Sequence, residues 1–162
     1  MTDTVVIGLG DEVRSRDDLG VHAVRRLRAR HPLTHRVELV EGGDAGLRCA
    51  PSLGEAQRAI FVDVIDIGAP AGSLVRLAGR DWPRMFAQRL TPHDVSLDDL
   101  LEAAMLTGAG PSEMVLHGVQ RAGGTSGEGA GAIAAEALDA LVRAIAADLE
   151  NWGLVPRVSE SV

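Results

Sequence analysis

The stretch TVVIGLGDEVRSRDDLGVHAVRRL, Thr4 to Leu27, decides the fold. Val5, Val6 and Ile7 form an apolar run, Gly8 and Gly10 bound a turn, and a polar loop leads through Asp17, Asp18 and Gly20 into apolar residues at helical spacing (Leu19, Ala23, Val24, Leu27). This predicts strand, loop and helix. In an open parallel sheet such a loop lies outside the carboxyl end of its strand, where ligands bind. The dinucleotide pattern Gly-x-Gly-x-x-Gly starts well at Gly8 and Gly10 but meets Val13 where its third glycine belongs. A pyrophosphate also needs bare amides at a helix start, and Asp11, Glu12, Asp17 and Asp18 would repel it. A loop rich in carboxylates suits a cation better. Dinucleotide binding stays as a minor alternative, because Glu41 ends the second predicted strand where a ribose-binding acid would sit.

The rest of the chain extends the pattern. Arg36 to Glu41 alternates as a second strand and runs into Gly42, Gly43, Asp44 and Gly46, glycines that imply a positive-φ turn or a close backbone approach. Leu47 to Gln57 reads as a short helix interrupted at Pro51. Ala59 to Val62 is the most apolar strand, as expected of a central parallel strand covered on both faces, and it ends in Asp63. A carboxylate there is costly unless paired, hydrogen-bonded or metal-bound. Ser73 to Leu77 follows too closely for a parallel crossover, so the fourth strand runs antiparallel to the third, at a sheet edge. Trp82 to Gln88 and Leu97 to Met105 are helical segments. Before the second of these, Pro92 fixes the chain ahead of His93, while Ser96 supplies the cap. Glu113 to Val119 is the fifth strand, with His117 a weaker site histidine, and Ile133 to Leu149 is the last amphipathic helix. Together these elements predict an α/β protein with a mixed, mostly parallel sheet of five strands.

Composition bounds the function. With 162 residues the chain makes one domain, assigned to residues 1–150, with a frayed tail at 151–162. A net charge of -7 without a basic cluster argues against a nucleic-acid binder. The arginines at 25, 26, 28 and 30 read as solvated charge near a helix end. No signal segment or membrane-length apolar run is present, which makes cytoplasmic residence without membrane insertion the expectation. Cys49, the only cysteine, reads as a buried bystander, and no serine sits in a nucleophile elbow. Two isolated strand-end carboxylates and His93 instead make an oxygen, oxygen, nitrogen set suited to a transition metal.

Taken together, Gly8-Leu9-Gly10-Asp11, Arg16-Asp17, Glu41-Gly42-Gly43-Asp44, Phe61-Val62-Asp63-Val64 and Thr91-Pro92-His93 resemble the hydrogenase maturation proteases. These endopeptidases trim the C-terminal extension of the nickel-iron hydrogenase large-subunit precursor. The resemblance implies a three-layer α/β/α sandwich. It assigns the nickel ligands to Asp17, Asp63 and His93, which also form the catalytic set, and substrate binding to Gly42, Gly43 and Asp44. It further implies no resident cofactor, with nickel carried by the substrate. Asp11 replaces the family's asparagine, and Arg121 follows Gly118-Val119-Gln120 where Pro-Glu is common. Asp18 competes with Asp17 as ligand, and the alignment of Gly20 favours Asp17. A non-catalytic nickel-dependent chaperone or checkpoint acting on the same precursor is the alternative function.

Overall fold

The computed structural model describes residues 2–9, 19–43, 50–79, 106, 110–121 and 135–156. Its sheet is built from β1 (Thr4–Leu9), β2 (Val37–Gly43), β3 (Arg58–Ile65), β4 (Leu74–Ala78) and β5 (Glu113–Gln120). The spatial order is β2-β1-β3-β5-β4. The β1–β2, β1–β3 and β3–β5 pairs are parallel, and β4 runs antiparallel beside β5 at the edge. The expected fourth-strand direction and edge position therefore hold. The described helices are α1 (Leu19–Arg30), α2 (Ala50–Glu55) and α3 (Ala135–Asn151).

Side chains alternate across the sheet and divide the core in two. On one face Val5, Ile7, Phe61, Ile65 and Leu116 pack with Leu53 and Ala56 at α2. On the other, Val6, Ile60, Val62, Val115 and Val119 pack with Val24 and Leu27 of α1 and with Leu141, Val142, Ile145 and Leu149 of α3. The result is three layers. Both faces of β1 and β3 are covered, which explains their unbroken apolar runs. The edge strand β4 instead alternates between exposed and half-buried residues.

Two sequence expectations change. The tail is not frayed as far as residue 156: Leu154 is fully buried. Gly153 has φ 73° and its amide bonds Glu150 O, while the Leu154 amide bonds Leu149 O at 2.8 Å. This is a Schellman stop, which turns the chain back and drops Leu154 beside Leu149. Thr34 N then bonds Leu154 O, and Arg58 stacks over Trp152 at 5.2 Å. The arginines of α1 are also more than solvated charge. Arg25 and Arg28 hold Glu41 of β2, whereas Arg26 and Arg30 converge on Asp139 of α3.

Candidate active site

The chain leaves β1 for β2 on one side and returns to β3 on the other, so β1 and β3 flank the sheet's topological switch point. Ligands of open α/β sheets bind beyond the carboxyl ends of the strands at such a point. Glycine lets the elements close on one another there. A Cβ on Gly20 would lie nearer than 3.0 Å to backbone atoms of Leu9 and Val62, and one on Gly8 equally near the Gly20 carbonyl. The first turn of α1 is thus seated on the ends of β1 and β3, with its amide-bearing end at the switch point.

Asp63 is the predicted site residue that stands at this junction. Its strand outlasts β1: the β1–β3 pairing ends at Gly8 with Val62, whereas β3 continues against β5 through Asp63–Gly118, Val64–Val119 and Ile65–Gln120. The Ile65 carbonyl accepts from Arg121 N on the β5 side. Main-chain groups alternate edges along a strand, so the amide of Val64 faces the β1 side. That amide donates to Asp63 Oδ1 at 2.7 Å, which draws the half-buried carboxylate toward the β1 side of the strand tip. The partner that a strand-end acid requires is therefore, in part, the next amide of its own strand.

The β2 end borders the same edge. Leu9 pairs with Gly43 and Gly8 with Glu41, leaving Gly42 as the extra residue of a bulge. A Cβ at Gly42 would lie 3.0 Å from the Gly8 carbonyl, and Gly42 is not among the positive-φ residues described. Of the two readings of this glycine, close approach is the one observed. Asp17, Asp18, Asp44 and His93 lie outside the described residues. Among the described residues no three His, Cys, Asp or Glu side chains gather into a metal-holding group.

Two other polar residues resolve away from the site. Glu41, considered as a ribose-binding acid, accepts from Arg25 Nε at 3.2 Å and Arg28 Nη1 at 3.0 Å. The Arg25 bond, then that from Arg28, holds its carboxyl below the usual range. His117 is corrected from a weak site residue to a structural one. It lies level with Val62 and points to the α1 and α3 face, opposite Asp63, where its Nε2 meets Asp148 Oδ2 at 2.6 Å. Burial is the main reason its pKa is lowered, against the opposing pull of Asp148.

Gln120 has no role assigned from sequence. It is buried at the last position of β5, where its side chain bonds four main-chain and side-chain groups around the β3–β4 connection. A polar amide closing the mostly apolar run Met114 to Val119 is the available signal.

Comparison with known proteins identifies relatives of the chain. Residues 21–149 match the family model described as hydrogenase maturation protease. The hydrogenase expression/formation protein HupD of Rhodobacter capsulatus is 35% identical over 117 residues, covering 72% of this chain and 56% of that protein. The chain thus spans little more than half the length of this relative. The hydrogenase 2 maturation protease of Escherichia coli K12 is 31% identical over 117 residues, covering 71% of each. Among solved structures, the hydrogenase maturating endopeptidase HybD from E. coli superposes with a TM-score of 0.81 at 25% identity, covering 96% of this chain and 98% of that one. The family-model match over most of the chain and the 35% identity to the R. capsulatus protein show that the chain belongs to the hydrogenase maturation protease family.

Proposed function

We propose that this protein is an endopeptidase that removes the C-terminal extension of a nickel-loaded hydrogenase large-subunit precursor. Asp17, Asp63 and His93 grip the nickel that the precursor brings, and no resident cofactor is needed. The observation that carries the reading is the carboxylate of Asp63, drawn to the β1 side of the strand tip at the switch point in a chain whose family is one of proteases. Asp17 lies two residues before Leu19, the first residue of α1, with Asp18 between them. Two carboxylates and an imidazole favour a precursor carrying a divalent ion over an empty one. The ion then orders the substrate chain and polarises a scissile carbonyl or an attacking water. Gly42, Gly43 and Asp44 bind the substrate segment. The reaction runs in the cytoplasm, and the described helices include none long and apolar enough to cross a membrane.

The test incubates the protein with nickel-loaded and nickel-free precursor and measures precursor mass over time. Loss of a C-terminal peptide from the loaded form alone is expected. Nickel-dependent binding without shortening would instead make the protein a checkpoint, and equal cleavage of both forms would remove the nickel requirement. Asp17→Asn and His93→Ala should each abolish shortening; retained activity would remove that residue from the triad.

A further inference from the structure

We propose that Gln120 is a positioning residue for this site, holding the tip of β3 so that Asp63 keeps its aim; its catalytic consequence rests on the processing activity proposed above. Past Val62 the strand pairing of β3 among the described residues is with β5, through Asp63–Gly118, Val64–Val119 and Ile65–Gln120. Gln120 is the final rung of that pairing, opposite Ile65, and the next residue, Arg121, donates its amide to the Ile65 carbonyl at 2.8 Å.

The side chain of Gln120 then fixes the residues just past the tip. Its Oε1 accepts from Ile67 N at 2.9 Å and Ala69 N at 3.2 Å. Its Nε2 donates to Asp66 Oδ1 at 3.0 Å and to Arg121 O at 3.3 Å. The main chain of Gln120 bonds the same connection further on: its amide donates to Ser73 O and its carbonyl accepts from Gly72 N. Two donors and two acceptors exhaust the bonding capacity of the side-chain amide. A buried amide is costly unless so matched, and here three of its four bonds go to the residues that continue β3 beyond Asp63. Gly118, beside Asp63, carries no side chain, and Ile65 fills the space over it. The tip is therefore packed from within and clamped at its last rung. Release of the clamp frees the Val64 amide on which Asp63 Oδ1 rests.

Two readouts test this. The first is amide hydrogen exchange in wild type, Gln120→Met, Gln120→Glu, Asp66→Asn and the double variant Gln120→Glu with Asp66→Asn. In Gln120→Met, exchange at Val64, Ile67 and Ala69 should accelerate by about tenfold or more while Val6 in β1 keeps its wild-type rate, because opening is local. Gln120→Glu sets a carboxylate against that of Asp66 and should loosen the same amides. Adding Asp66→Asn restores a donor to the contact, so the double variant should recover most of the loss. The second readout is the rate of precursor shortening below the unfolding temperature of every variant, where kcat should fall in Gln120→Met and Gln120→Glu and recover in the double variant, with KM little changed. Unchanged Val64 exchange in Gln120→Met would overturn the proposal, as would acceleration at Val6 equal to that at Val64. Absence of shortening by wild type would defeat the processing reading and leave exchange to decide the clamp.

Discussion

Two aspartates on opposite faces of the sheet show how position separates a carboxylate presented at a strand end from one locked into a structural cluster. Asp148 projects from α3 into the layer beneath β5 and β4. Arg76 grips both its oxygens, from Nε at 3.0 Å and Nη2 at 3.1 Å, and His117 meets one of them at 2.6 Å. Burial works to raise the Asp148 pKa, but the bonds from Arg76 and His117 outweigh it and hold the carboxyl below its ordinary range. The cluster is closed among β4, β5 and α3. Asp63 stands instead where two parallel strands part, with one oxygen held by the adjacent amide. One acid joins three elements, whereas the other stands where β3 continues past the end of its pairing with β1.

Exchanging the roles experimentally should therefore give opposite signatures. Asp148→Ala leaves a buried histidine and an arginine without their carboxylate and should cost about 3 kcal/mol of stability. The lower part of the usual range applies because Arg76 is half exposed. Denaturant unfolding measures this, and cleavage well below the transition should change much less. Asp63→Asn should do the reverse, reducing kcat/KM for the loaded precursor by roughly 100-fold, equivalent to ~2.7 kcal/mol, with a melting temperature close to wild type. A large stability loss with normal cleavage in Asp63→Asn would invert the assignment.

Acid should find the closed cluster first. The folded His117 pKa lies below its ordinary 6.5, so the unfolded chain binds the proton more readily. The contribution of neutral His117 is thus present above about pH 6.5 and is lost as pH falls below it. Asp148 has the same sign lower down, its contribution declining below its ordinary 3.8. Unfolding free energy measured from pH 7.5 to 4 should fall in wild type, and His117→Gln should flatten the upper part of that fall. An unchanged slope in His117→Gln would assign the acid sensitivity to other groups.

The two regions also differ in how far the sequence discloses them. Asp63 is legible because an acid ending a buried apolar run violates the local pattern; continuous apolar runs supply the parallel strands, and the short link before β4 supplies the antiparallel edge. Glycines 42 and 43 likewise mark the β2 end, although the choice between a turn and close approach depends on Gly8 across the pair. The Arg76–Asp148–His117 cluster is not legible. It depends on the rotation of α3 over the sheet and on β4 lying beyond β5, both set by tertiary packing between distant segments. The buried end of α3 is an intermediate case: Gly153 followed by Leu154 carries the signal of a helix stop with an apolar return, but composition alone reads the segment as a tail.

Glu41 sharpens the contrast by adding a carboxylate that is neither buried nor at the switch point. It belongs to the same cross-strand row as Gly8, Val62, His117 and Arg76. Arg25 and Arg28 meet it at 3.1 Å and 3.0 Å, yet both arginines are about half exposed. Water and salt compete for such pairs, and the entropy of fixing two long side chains offsets much of the attraction. Glu41→Gln should therefore cost less than about 1 kcal/mol, and the difference from wild type should shrink further in high salt. If Glu41→Gln instead matched the loss in Asp148→Ala, burial would not be what distinguishes the closed cluster, and the row itself would have to act as one electrostatic unit.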